Sequence, residues 1–332
     1  MSHLARARTL LRAHSFLFAL VLTVVLFIAN VIVLPNFVAR SSWDADFITF
    51  APFAILAVAS TPAVMTGGGG LDLSIAPSAN LANVVLTVDL LTSSHLSSPW
   101  IAIPLILLMT TGIGLFNGLV ITLARVPAVV TTVGMLLLLT GLVTRLAPNP
   151  TAVTSGWVTS LHGDLAGVPW GLILIAIPLV LWSLLRLTAF RSTLYLVGGN
   201  AAAAYSAGVN VVAVRLIAYS IGGLFAGIGG LAITGSLLTS DTSIGMAYSL
   251  IAMAAVALGG TPIGVGGRGG VLGSMLGAAS IYLLQNVLIA AGVPSAWEQV
   301  AYGGLLIIGA TIGGLVASPP RPPRARAQAV RA

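Results

Sequence analysis

Long apolar runs alternate with short polar stretches along almost the whole chain. Ten of them lie near the roughly 20 residues needed to cross a bilayer. Their approximate cores are Ser15–Leu34, Phe47–Thr66, Leu73–Leu91, Trp100–Leu123, Pro127–Leu146, Val168–Leu187, Val214–Leu237, Ala247–Gly260, Val271–Ala291 and Trp297–Val316. Each predicts a helix, because a segment in lipid must satisfy its own backbone N–H and C=O groups. The pattern therefore predicts an all-α integral membrane protein with about ten transmembrane helices, and eight or nine also fit. Two places leave the count open. The eighth run is short enough for a half-helix or re-entrant segment. The second and third runs flank the stretch TGGGGLDLSIAPS and fit one broken helix.

That stretch interrupts an apolar region with four glycines, Gly67 to Gly70, and then a carboxylate, Asp72. Glycine tolerates φ > 0 and exposes backbone, so the run belongs where protein or water surrounds it. Asp72 precedes a helical stretch and is placed to cap it, a position that the helix dipole also favours for negative charge. An uncapped carboxylate in lipid would cost about 2.5–3.5 kcal/mol on insertion scales. Interrupted helices of this kind line transport pathways. At about 100° per residue, Asp72, Asn80, Asn83 and Thr87 share one arc, with Ser74 and Ser78 on the other side. Such a stripe faces either a solute pathway or interhelical hydrogen bonds, and both readings stay open. Asn117, Gln285 and Asn286 are further amides expected in the bundle interior. Gly223, Gly227 and Gly230, and likewise Gly273 and Gly277, have the small-residue spacing of close helix packing.

Composition agrees: 58% of residues are hydrophobic and only 6% charged, against about 25% charged in soluble chains. Cysteine is absent, which excludes disulfides, thiolate nucleophiles and Cys-ligated metals. All 14 basic residues are arginine, so no P-loop lysine is available. The four histidines (His3, His14, His95 and His162) have no ligand spacing. No catalytic residue, bound cofactor, metal site or nucleic-acid partner is expected. The first apolar run is too long for a signal h-region and is not expected to be cleaved.

Charge placement gives a topology. With the N-terminus inside and strict alternation, Arg6, Arg8, Arg12, Arg125, Arg186, Arg191, Arg215, Arg268, Arg321, Arg324, Arg326 and Arg331 fall inside, and only Arg40 and Arg145 fall outside. The positive-inside rule expects this bias, so both termini are expected in the cytoplasm. One transmembrane domain covers 1–332, with tails at 1–13 and 318–332. The second tail is Pro/Arg-rich and expected to be disordered near the anionic leaflet. Two outer loops (Pro35–Asp46 and Ala147–Gly167) and one inner loop (Arg186–Val212) are candidate docking surfaces. The inner loop contains FRSTLYLVGGNAAAAYSAGVN, in which Asn200 is a good N-cap, Ala201–Ala207 a strong helix former and Gly208 a suitable C′ residue. A helix of about two turns is expected there, between two membrane segments.

Five blocks, in order, resemble the permease subunits of bacterial ABC importers for simple sugars of the ribose/galactose/xylose type. They are GGLDLSIAPSANLA, GLFNGLVITLARVPAVVTTVGMLLLLTGL, GGNAAAAYSAGVNV, IAMAAVALGGTPIGVGGRGGVLGSMLGA and AGVPSAWEQVAYGGLLI. The resemblance runs from about Ala63 to Ala310. It implies an inner-membrane, multi-pass subunit paired with a second permease copy, two cytoplasmic ATPase subunits that hold ATP and Mg, and a periplasmic or lipid-anchored solute-binding protein. It also implies that Arg191, Gly198, Gly199, Asn200, Ala203, Ala204, Ser206 and Gly208 belong to the ATPase-coupling loop. Gly67, Gly68, Asp72, Asn80, Asn83, Asn117, Gln285 and Asn286 are candidates for the pathway, and Gly259, Gly260, Gly267, Arg268 and Gly269 form a second cytoplasmic loop. Two departures stand out. Ala201 and Ala202 occupy positions where family members often carry acids after G-G-N, and Gly245–Leu250 lacks the acid of the family's G-[YF]-E-L stretch. A monosaccharide is the implied solute. A nucleoside, an autoinducer-like molecule or a branched-chain amino acid is the alternative within the superfamily. An ion-coupled secondary transporter using Asp72 is the alternative from another class.

Overall fold

The computed structural model describes residues 16–93 and 96–317. The two tails, with their seven arginines, lie outside the described residues. In chain order the helices are α1 (Leu17–Val33), α2 (Trp43–Met65), α3 (Ile75–Val84), α4 (Pro99–Thr122), α5 (Ala128–Leu146), α6 (Gly156–Thr159), α7 (Trp170–Leu184), α8 (Phe190–Gly199), α9 (Ala201–Ser206), α10 (Val211–Leu237), α11 (Ile244–Leu258), α12 (Val271–Ala290) and α13 (Ser295–Ala317). Wider π-type turns continue α3 through Val85–Ser93. One hairpin, β1 (Asp164–Leu165) with β2 (Val168–Pro169), is the only sheet among the described residues. Each of the ten apolar runs carries a helix. Seven spans among the described residues are long and apolar enough to cross a membrane, whereas Leu17–Val33 and Ile244–Leu258 are shorter.

Burial follows from pattern. α2 is apolar around its whole circumference, and Ala51–Met65 is buried throughout. It packs with α10, α12, α7 and α11 to make the centre. The glycines of α10 allow this approach. A Cβ on Gly222 would meet Ala59 O, one on Gly223 would meet Thr110 O, and one on Gly230 would meet Ala82 and Ala79. The outer helices expose Trp100, Leu108, Val130, Leu138 and Val180, an apolar surface suited to lipid.

The registers on α10 fix chain direction. From Gly222 to Gly229, the α2 neighbour moves back from Ala59 to Leu56; from Gly222 to Gly230, the α3 neighbour advances from Ile75 to Ala79. α2 and α3 are therefore antiparallel. This corrects the expectation of one broken helix: Gly67–Gly70 is the turn of a helical hairpin. Gly67, Gly68 and Gly69 have φ of +66°, +60° and +79°, and Gly70 N–H donates to Gly67 O at 2.9 Å. Three successive residues in the left-handed region reverse a chain that a right-handed helix would carry onward.

Alternation collects Arg125, Arg186, Arg191, Arg215 and Arg268 at one end, with Arg40 and Arg145 at the other. The second end is tied by side chains and short bridges. Arg40 Nη2 donates to Gly167 O at 2.7 Å, and Arg40 pairs with Asp44 at 3.4 Å. Val153 N–H donates to Leu238 O, and Ser240 N–H to Thr151 O, both at 2.9 Å.

Candidate functional site

Three backbone segments converge at the arginine-rich end: the α2–α3 turn, the end of α8, and the α11–α12 loop. Gly267 N–H donates to Met65 O at 3.0 Å. A Cβ on Gly198 would strike Met65 O and Gly267 N; one on Gly67 would strike Gly198 O; one on Gly266 would strike the Gly67 backbone. Backbone thus touches backbone on three sides, which no residue with a side chain permits. Gly266, Gly267 and Gly269 have φ of +69°, +63° and +85°. Tyr195 Oη donates to Gly269 O at 3.0 Å, and Gly270 N–H donates to Thr261 Oγ1 at 3.2 Å. Gly259 packs on the Gly273 backbone, and Gly260 turns the chain with φ +77°.

From this junction the chain passes directly into α9. Asn200 Oδ1 accepts from Ala203 N–H at 3.0 Å, so the residue caps the helix. At the other end Gly208, with φ +83°, donates to Tyr205 O at 2.9 Å while Val209 N–H donates to Ala204 O at 3.0 Å. These two bonds make a Schellman closure. The helix covers Ala201–Ser206, one residue shorter than Ala201–Ala207. Ala204 anchors it in the core beside Leu194, Val197 and Val214. Ala203, Ser206, Gly208 and Tyr205 point outward, and Tyr205 is 75% exposed. Tyr205 is an exposed aromatic ring on an alanine helix, a feature that sequence reading passed over. The break in the alanine run was its only signal. Arg268 is exposed on the neighbouring loop. Arg191 lies off the junction, with its guanidinium 6.0 Å from the Trp182 ring on α7.

Beneath the turn lies a buried polar group. Asp72 Oδ1 accepts from Ser74 N at 3.0 Å and from Ser74 Oγ at 2.6 Å, and Asn117 Nδ2 donates to Ser74 Oγ at 2.8 Å. The first turn of α3 itself receives no side-chain cap. Asp72 therefore caps the lead-in turn Leu73–Ser74, not the helix proper as its position had implied. Asp72 Oδ2, Asn80 Oδ1 and Asn117 Oδ1 are buried and have no hydrogen-bond partner among the described residues. Asn83 is a latch: it donates to Thr234 Oγ1 at 3.0 Å and Thr239 O at 3.2 Å, and accepts from Asp241 N–H at 3.3 Å. Gln285 and Asn286 are not brought to this group. Gln285 meets Glu298 at 3.3 Å, and Asn286 lines a depression with Leu34, Asn36 and Ser42 at the opposite end. The reason is register, since 11 or 12 residues separate them from Ser274, which bonds Thr61 near the start of α12.

A polar cavity of about 360 Å³ opens beside the turn, lined by Gly67, Gly68, Arg125, Val126, Arg215 and Tyr219. Arg215 approaches the exposed Gly68. Among the described residues no group of three or more His, Cys, Asp or Glu could hold a metal ion. What the site offers is contact: α9 follows directly on α8, whose Gly198 touches both the α2–α3 turn and the α11–α12 loop.

Known proteins are similar to part of this chain in sequence. A galactofuranose transporter permease of Escherichia coli is 29% identical over 169 residues, 48% of this chain and 46% of that protein. An autoinducer 2 import permease of Photorhabdus laumondii is 29% identical over 164 residues, covering 47% and 46% respectively. A ribose import permease of E. coli is 29% identical over 165 residues, covering 47% and 50%. The matched region thus spans about half the length of these relatives. No solved structure matches the chain. The model of one family, the permease component of the branched-chain amino acid transport system, matches residues 44–310 and takes in the turn, the α8–α9 segment and the α11–α12 loop together. The chain belongs to that permease family.

Proposed function

We propose that this chain is the membrane-spanning subunit of an ATP-driven importer in the bacterial inner membrane. It translocates a small polar solute, a monosaccharide in the first instance, delivered by a periplasmic or lipid-anchored binding protein. The arginine-rich end faces the cytoplasm, in keeping with the positive-inside rule, and both termini lie there. Two ATPase subunits, which hold ATP and Mg, grip α9; a second permease copy completes the pathway.

One observation carries this reading. α9 presents a small, capped, outward-facing surface, while its root is locked through Gly198 to the α2–α3 turn and the α11–α12 loop. A helix built so is suited to receive force, and this chain has no lysine for a nucleotide-binding P-loop of its own. With Ala201 and Ala202 beside the cap, docking rests on shape and on Tyr205 instead of an ion pair. Sugar transport is supported by the galactofuranose and ribose relatives. The family model and the autoinducer 2 relative keep a branched-chain amino acid or an autoinducer-like solute as the second reading.

The test is reconstitution with the neighbouring ATPase and binding protein, followed by uptake of a panel of sugars and amino acids. Tyr205→Ala and Asn200→Ala should insert normally yet lose at least ten-fold in ATP-coupled uptake. Accumulation of solute by this chain alone, without nucleotide, would overturn the proposal and favour an ion-coupled carrier.

A further inference from the structure

Two grooves on the lipid-facing side of the molecule are halves of one. The first, about 530 Å³, lies toward the end that carries Arg40 and is walled by Phe27, Phe47, Leu172 and Tyr282. The second, also about 530 Å³, lies toward the arginine-rich end and is walled by Leu179, Trp182, Met275 and Leu276. Phe50 and Ala279 line both. The same four helices supply both halves in matching order. α7 runs from Leu172 to Ser183, α12 returns from Leu272 to Leu283, α2 contributes Phe47 and Phe50, and Phe16 to Phe27 follow α1 and the residue before it. Eleven residues of α7 at 1.5 Å per residue make the cleft about 17 Å long.

Charge is unevenly placed along it. The arginine-rich mouth holds Arg186 and Arg191 and no carboxylate. Neither arginine has a carboxylate within ion-pair distance among the described residues. Arg191 is half-buried, held 6.0 Å above the Trp182 ring, while Arg186 is exposed. Two arginines at the polar end of an apolar, membrane-facing cleft match a lipid whose head group is anionic and whose chains are long. An acidic protein segment would leave the apolar length of the cleft unfilled.

We propose that this cleft is a binding site for an anionic glycerophospholipid. Arg186 and Arg191 hold its phosphate, and an acyl chain lies along Leu179 and Met275 toward Phe50 and Ala279. The lipid wedges between α7 and α12 and fills the space that leads to α8, so it braces the base of the force-receiving segment. The site requires neither a particular solute nor a particular motor.

The experiment is native mass spectrometry of the full chain in mild detergent, with phosphatidylglycerol and phosphatidylcholine in competition. Phosphatidylglycerol should be retained at least ten-fold over phosphatidylcholine. Arg186→Gln with Arg191→Gln should cut the preference below two-fold, and the corresponding double lysine variant should keep most of it. Arg145→Gln, at the far end, should change nothing. Ala279→Trp, which fills the shared waist, should lower retention of both lipids. Equal retention of the two lipids by the parent protein overturns the proposal, as does a preference unmoved by the double glutamine variant or lost equally with Arg145→Gln. If Ala279→Trp leaves lipid in place but dissociates a dimer, the occupant is a second copy and the proposal fails.

Discussion

Glycine builds two regions of this protein in two different ways. On α10, Gly222, Gly223, Gly227 and Gly230 keep ordinary helical dihedrals and serve only by lacking a side chain, so that α2, α3 and α4 can come close. At the junction, Gly67, Gly266 and Gly267 add left-handed φ to the same lack of space. The helical glycines settle how tightly the bundle packs. The junction glycines settle where the chain turns and which turns touch. The first kind tolerates relaxation along a helix axis, whereas the second has no neighbouring dihedral able to absorb an added methyl.

The contrast is sharpest for Gly67→Ala, which meets strain and overlap together. It should cost about 3–5 kcal/mol, the sum of a left-handed non-glycine residue and an overpacked contact. Thermal unfolding in detergent reads it, and a loss under about 1 kcal/mol would refute the three-way junction. Gly223→Ala meets overlap alone, against Thr110 O. A loss of about 2 kcal/mol is expected in the same assay, smaller than at Gly67; the reverse order would break the comparison. Asn83→Ala tests a side-chain latch between α3 and the segment after α10. Taking the acceptor away from Asp241 N–H should cost about 1–3 kcal/mol, with faster hydrogen exchange at 238–241. Asn200→Ala removes only the α9 cap, and about 1 kcal/mol should appear as local fraying while the bundle stays intact. Gly199→Ala is the smallest. This glycine sits beside Gly198, but an added methyl there would have nothing within 4 Å, and its φ is not left-handed. Its stability should stay within about 0.5 kcal/mol of the parent.

Some of this was legible from residue order alone. The α9 cap at Asn200 and its closure at Gly208 rest on contacts three to five residues away, and such local chemistry is written in the order of residues. The ten helices were legible for a similar reason, because each apolar run is long enough to form its own backbone bonds. The buried polar stripe on α3 was visible from helical phase, but its partners were not. Asn83 finds Thr234 and Asp241 some 150 residues on, whereas Asp72 bonds Ser74, two residues along. Gln285 and Asn286 share the chemistry of Asn117 yet sit at the wrong depth, and composition carries no depth.

What the amino-acid order determined by itself is the membrane class, the helix positions, the asymmetry of arginine and the capped helix α9, since each depends on interactions shorter than one helix. Only the tertiary structure decided that the glycine run is a hairpin turn and that it touches Gly198 and Gly267. Those contacts join residues about 70 to 200 positions apart. Local preference shows that a chain turns, and packing alone shows what the turn will meet.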